Sequence, residues 1–464
     1  GLPDVHKNLG NALQESGDLN AAVESYKRAL KINPEDAKTN FSLGAALQEI
    51  GNLTAAIESY NFAIKIKPDY AQAHSNLGLA LKEKGDLLAA IESQQRAIEI
   101  DPSYVEAYNN LGNALGTNGN LTAAIESYTR ALKIKPDYAS AHSNLGSALR
   151  ESGDFKSALE SCKRAVAIEP NFAKGHSNLG DILLEKGDLT AAIASYNRAL
   201  QLDSDYAGAH NNLGIALKNK GDLDTAIASY NRAIDIQPDY AEAHNNLAAT
   251  LQEKGDLTNA IATYQNALQL DPDYGEAHNN LGTALQVKGD LAGAIGSYQN
   301  ALHIKPDYAA AYSNLGSALE ENGDLVAAIQ NFNRALEIKP DFVTTIGHKL
   351  HQQASICDWS TIEKDRDSIP GLGVKADFVD PFAVLPLEDH PARHRQRSAL
   401  YAQNKFKSPA ALAAVSHPLK LPEKLRIGYF SADFHAHPVM HLIVKMFELH
   451  DRSAFEIHGF SFGP

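Results

Sequence analysis

The feature that most constrains this chain is a period. The dipeptide Leu-Gly returns every 34 residues, at Leu9-Gly10, Leu43-Gly44, Leu77-Gly78, Leu111-Gly112, Leu145-Gly146, Leu179-Gly180, Leu213-Gly214, Leu281-Gly282 and Leu315-Gly316, with Leu247-Ala248 the one variant. Ten units fill residues 3–342. A repeat of this length is one supersecondary unit that cannot bury its apolar side alone, so the units must stack on one another. Arrays of this kind build a recognition surface and not an active site, so chemistry is to be sought after residue 342.

With each unit numbered from its first residue (Pro3 in repeat 1), positions 4, 7, 8 and 11 fall on one face of a first helix, for example His74, Leu77, Gly78 and Leu81. Gly85-Asp86-Leu87 and its copies stop helix A and cap helix B. Helix B carries Ala at positions 20 and 27 around an aromatic at 24, as in Ala124, Tyr128 and Ala131, and Pro at position 32 closes the unit in nine repeats, with Ser204 the exception. This pattern resembles the tetratricopeptide repeat. The expected fold is therefore mainly α: a right-handed superhelical solenoid, followed by a helical connector over 343–423 and the first βαβ unit of a Rossmann-like lobe over 424–464.

Position 6 singles itself out. It holds Asn8, Asn76, Asn110, Asn144, Asn178, Asn212, Asn246, Asn280 and Asn314, and Ser42 in repeat 2. Asn is a poor mid-helix residue, yet it persists while position 2 drifts through Asp4, Lys38, Gln72, Glu106, Ser140 and Lys174. About 200° round the helix from position 4, these side chains are expected on the inner surface as a ladder of amides. An amide donates and accepts, so it can hold the backbone of an extended acceptor peptide without reading its sequence. The competing reading is that the same Asn side chains bond between adjacent helices. His at position 4 (His6, His74, His142, His176, His210, His244 and His278) reads as packing, because equivalent positions in stacked helices lie about 10 Å apart and a metal needs its ligands near 2 Å. Cys162, at the aromatic position of repeat 5, reads as a small buried hydrophobe.

The net charge of −14 argues against nucleic-acid and anionic-membrane partners. No apolar run reaches the roughly 18–20 residues of a membrane span. Two cysteines give no disulfide framework and fit a reducing, cytoplasmic compartment. After Phe342 no period is evident, and the His- and Arg-bearing stretch 390–401 reads as a surface helix. Leu425–Phe430 and Phe455–Phe462 read as strands, with a polar loop at Ser431–His437 and a helix opening at Pro438 between them.

Three stretches resemble the tetratricopeptide O-linked N-acetylglucosamine transferases, Spindly-like and bacterial relatives included: Cys357-Asp358-Trp359; Leu385-Pro386-Leu387 with the Arg-rich helix after it; and Leu425-Arg426-Ile427-Gly428-Tyr429-Phe430-Ser431-Ala432-Asp433-Phe434-His435-Ala436-His437-Pro438, followed by His441-Leu442 and Phe455-Glu456-Ile457. The resemblance implies two Rossmann-like lobes and transfer of a sugar from UDP-N-acetylglucosamine, a donor substrate and not a resident cofactor, to Ser or Thr of proteins selected by the repeats. It matches His437 to the family's active-site His and implies no metal. The lobe that holds the donor is expected beyond Pro464, so the 464 residues alone are expected neither to bind donor nor to turn it over. The alternatives are a non-catalytic peptide-binding scaffold, or a related transferase with another sugar; the repeats could also pair into a homodimer.

Overall fold

The computed structural model describes residues 1–374, 379–384, 387–405, 425–431 and 455–461. The chain divides into two compact units, Gly1–Thr345 and Ile346–Pro464.

In the first unit every repeat is a helix pair; in repeat 3 helix A spans Ala71–Lys84 and helix B spans Leu87–Ile100. The turn between them follows from two residues. Gly at position 15 adopts a left-handed conformation in all ten repeats, with φ between +77° and +93°, where a side chain would be strained. The next residue, Asp or Asn, accepts a hydrogen bond from the backbone N–H three residues on and so caps helix B in every repeat.

Helices A and B close on each other through the Gly of the Leu-Gly pair. A Cβ on Gly112 would lie 2.5 Å from the Tyr128 ring, so only a residue without one lets the ring lie flat on helix A. Ala124 and Ala131, on either side of Tyr128, are fully buried. The Tyr128 hydroxyl donates to Asn113 Oδ1 at 2.9 Å, which satisfies the polar end of a largely buried ring. Cys162 takes the ring's place over Gly146, fully buried, with its thiol pKa pushed up to about 12 by burial. It is a packing residue, as its position in the repeat suggested.

Helix A of one repeat packs against helix A of the next, while among the described residues no comparable contact joins successive B helices. A stack in which one layer of helices touches and the other splays must curve, with the A helices on the concave side.

The second unit departs from expectation in two places. The helix Val343–Ser355 and the helix Trp359–Asp365 meet at a turn built like those of the repeats. Cys357, at position 15, has φ +59°, and Asp358 accepts from Thr361 N at 3.3 Å. The segment expected to lack a period therefore opens on an eleventh helix–turn–helix. Its signature was legible, since Asp358 lies one period of 34 after Asp324, but Cys stands where every other unit has Gly. The second departure is the helix Pro391–Lys405, expected at the surface. Its Arg397 is fully buried: Nε donates to the Leu372 carbonyl and one terminal N to the Ile369 carbonyl, both at 2.7 Å, and the other to Glu388 Oε2 at 2.7 Å. An arginine with all three nitrogens engaged can be buried where an unpaired one could not.

Strands β1 (Leu425–Ser431) and β2 (Phe455–Ser461) pair in parallel, with Leu425 opposite Phe455 and Ile427 opposite Ile457. A parallel pair requires a crossover connection. The helix expected for that crossover falls at 432–454, outside the described residues, as does His437.

Candidate functional site

The concave face is lined by the A helices, and the position-6 asparagines lie on it. Asn144 Nδ2 donates to Asn109 Oδ1 at 3.0 Å, Asn178 to Ser143 Oγ at 2.9 Å, Asn246 to Asn211 at 3.0 Å, Asn280 to Asn245 at 3.1 Å and Asn314 to Asn279 at 2.9 Å. Asn110 reaches Ser75 Oγ at 3.4 Å, and Asn212 turns to Asp181 at 2.9 Å. Each of these acceptors belongs to helix A of the preceding repeat. Asn8 is exposed, and neither it nor Asn76 makes such a bond among the described residues. The sequence placed position 6 opposite the packed side; in a curved stack the inner flank of helix A is also where it meets its neighbour. An amide holds two N–H groups and two lone pairs, and the side-chain Oδ1 atoms of Asn110, Asn246 and Asn314 accept no hydrogen bond among the described residues. One side chain can thus tie two repeats together and still present an acceptor to the groove.

Six of the seven position-4 histidines make one and the same bond. His74, His142, His176, His210, His244 and His278 donate from Nε2 to the carbonyl six residues earlier, at 3.0–3.1 Å. That acceptor is position 32 of the previous repeat, Pro in five cases and Ser204 in one. Asn40 makes the same bond to Pro34 at 3.2 Å, so the bond needs a donor and not an imidazole. Burial holds His74 and His142 below the ordinary histidine pKa, which favours the neutral ring. No group of three potential metal-ligating side chains gathers among the described residues.

Sequence reasoning missed Asp181. At position 9, its carboxylate accepts from the Tyr196 hydroxyl at 2.8 Å and from Asn212, and burial pushes its pKa up. The available signal was an acid one residue after the Gly that seats the ring.

In the second unit, the parallel strands bracket the segment to which His437 belongs. Upstream, Glu388 is enclosed by Arg393 and Arg397, and His394 Nε2 donates to the Glu388 carbonyl at 2.6 Å. Burial pushes the Glu388 carboxyl up in pKa, but the bonds from the two arginines outweigh it and hold it below the ordinary range. No helix of the described residues is long and apolar enough to cross a membrane.

A TPR repeat family matches residues 10–51, 49–85, 78–119, 180–221, 216–255 and 250–289, and a second tetratricopeptide repeat family matches 109–176 and 279–341. Glycosyl transferase family 41 matches residues 397–464, a stretch that begins at the buried Arg397 and contains both strands. No curated protein matches the chain. Two solved structures of MamA are similar to it: one is 31% identical over 37% of this chain and 94% of its own, with a TM-score of 0.34. The other is 27% identical over 36% of this chain and 97% of its own, with a TM-score of 0.32. Over most of its length the chain is a tetratricopeptide-repeat protein, and its residues 397–464 match glycosyl transferase family 41.

Proposed function

We propose that the protein is a UDP-sugar-dependent protein O-glycosyltransferase, with UDP-N-acetylglucosamine as donor and Ser or Thr of other proteins as acceptor. The observation that carries this reading is the family 41 match over 397–464, which falls on the parallel strand pair. In such a transfer the acceptor hydroxyl oxygen forms the new bond to the anomeric carbon, UDP departs, and the hydroxyl proton needs a base. His437 is the candidate, since an imidazole titrating near neutrality suits proton transfer at physiological pH. The concave face selects the acceptor: the side-chain Oδ1 atoms of Asn110, Asn246 and Asn314 accept from backbone N–H groups of an extended segment, and the remaining amide hydrogens donate to its carbonyls.

The test is incubation of the full-length protein with tritiated UDP-N-acetylglucosamine and a Ser/Thr peptide. Transfer of label that falls at least a hundredfold in His437→Ala supports the reading. Peptide binding with no UDP release, under any donor sugar, leaves the non-catalytic scaffold.

A further inference from the structure

A second row of inter-repeat bonds runs along the concave face, from position 12 of one repeat to position 13 of the next. Gln14 donates to Glu49 at 2.7 Å, Gln48 to Glu83 at 3.0 Å, Arg150 to Glu185 at 3.0 Å and Gln286 to Glu321 at 2.5 Å, and Lys218 pairs with Glu253 at 3.9 Å. The row fails on both sides of repeat 4, which carries Gly116 and Thr117 at the two positions. The failure strands a charge on each side. Lys82 loses the carboxylate that position 13 would supply, and Glu151 loses the donor that position 12 would supply. Among the described residues neither side chain makes a hydrogen bond or an ion pair. The other breaks, at Leu184/Asn219 and Gln252/Val287, strand no charged group.

Where the side chains of Gly116 and Thr117 fall short there is a cleft of about 280 Å³, bordered by Lys82, Gly116, Thr117, Asn144, Glu151 and Lys174. Four successive A helices contribute to it. Lys174 Nζ donates to Asn144 Oδ1 at 3.3 Å, which holds this ammonium beside a ladder amide. Two cations against one carboxylate make the cleft locally positive on a chain whose net charge is −14. An acidic group is therefore repelled by the molecule as a whole and drawn to this spot.

We infer that the repeat-4 cleft is a subsite for one acidic side chain, Asp or Glu, of an extended peptide on the concave face, with Lys82 and Lys174 donating to its carboxylate. The inference rests on the peptide-binding reading of that face. Glu151 sets the charge selectivity by leaving the cleft a single net positive charge: that matches a carboxylate, whereas a phosphate dianion costs more to desolvate than one net charge returns. Partial burial, and then the neighbouring Lys82 charge, hold Lys174 below the usual lysine range, so a bound anion relieves a repulsion already present.

The experiment uses a fluorescein-labelled Ser/Ala/Thr peptide with a single central Glu, its Gln twin and its phosphoserine twin, each followed by anisotropy at low salt. The Glu peptide is expected to bind about tenfold more tightly than the Gln twin, or ~1.4 kcal/mol. Lys82→Gln with Lys174→Gln should abolish that preference while the Gln twin binds as before. Gly116→Gln is the second variant. A Cβ there meets only Ala124 Cβ at 3.8 Å, so the helix accepts it, and its amide can reach Glu151 and fill the cleft with both lysines intact. It should also lose the preference, with thermal stability unchanged or raised. Equal binding of Glu and Gln peptides to the unaltered protein overturns the subsite and leaves the peptide-binding reading standing. Tighter binding of the phosphoserine twin overturns the carboxylate assignment. Binding of none of the three overturns both.

Discussion

The ten-repeat array and the Arg397 region are held together in opposite ways. The array spreads its polar stabilisation over many equivalent bonds: an Asp or Asn cap per turn, in seven repeats a position-4 donor to the preceding carbonyl, and Asn rungs between A helices. Each contributes on the order of 1 kcal/mol, and each has copies. In the second unit a single guanidinium ties together the helix Pro391–Lys405, the Glu388 carboxylate and two backbone carbonyls. Redundancy lets a repeat drift, as repeat 4 has at Gly116 and Thr117; a buried charge with no copy allows no such drift.

The largest effect is therefore expected at Arg397. Arg397→Ala leaves the buried Ile369 and Leu372 carbonyls without their donor and Glu388 with Arg393 alone, and should cost about 3–5 kcal/mol in the second unit. Hydrogen exchange on peptides from 388–405 should accelerate by orders of magnitude while peptides from repeats 1–10 stay as slow as before. Acid should break the two regions differently. Glu388 has its folded pKa depressed, so its contribution is present above the unfolded carboxylate pKa and is lost as pH falls through the folded value. Asp181 has its folded pKa raised by burial, so its effect has the reverse sign: stability is highest below the unfolded value and declines as pH rises through the folded one. Unfolding followed by exchange between pH 3 and 7 should show the second unit weakening on acidification, and Asp181→Asn should remove the opposite trend from repeat 6. The same sign in both regions would contradict these environments.

Next in size is Gly112→Ala. Its Cβ would press into the Tyr128 ring, and overpacking of this kind costs about 1–3 kcal/mol. Repeat 8 sets the lower part of that range, because Ala248 is fully buried in a unit that still buries Tyr264. Urea unfolding should show the loss, and exchange should confine it to repeat 4 and its neighbours, as expected of a nearest-neighbour array. Asn144→Ala should cost about 1 kcal/mol through the lost rung to Asn109, whereas Asn8→Ala, with no rung, should cost close to nothing. A peptide-binding defect in Asn144→Ala therefore counts as recognition only after its stability loss has been measured.

Much of the array was legible because each repeat obeys the same local rules: Gly with positive φ, an Asp or Asn cap, Ala around a ring. Periodicity gave the spacing of position 6 but not its second partner, since the i to i+35 contact depends on how tightly the stack curves. Asp181 and Arg397 were missed for a common reason. Burial of a charge is decided by the groups that happen to surround it, and those come from distant stretches such as Ile369 and Leu372, which no local pattern connects to residue 397. Of the candidate site, the Asn side chains bond between adjacent A helices as the competing reading had it, and His437 lies outside the described residues.

The smallest expected effect bears on where one region gives way to the other. Cys357 is the one described non-Gly residue with positive φ, at a turn that Gly makes in every repeat. A left-handed conformation costs a side-chain-bearing residue about 1–2 kcal/mol, while Gly returns roughly 0.4–1 kcal/mol of that as extra unfolded-state freedom. Cys357→Gly should therefore stabilise the turn by several tenths of a kcal/mol up to about 1. If the helix pair 343–365 is a true eleventh unit, the gain should appear as slower exchange through the Asp358 cap, as at the ten caps before it. Cys357→Ala removes the thiol but keeps the Cβ and should give no gain. Equal stabilisation by both substitutions would assign the effect to the thiol and not to the backbone, and the likeness of this turn to those of the repeats would lose its energetic meaning.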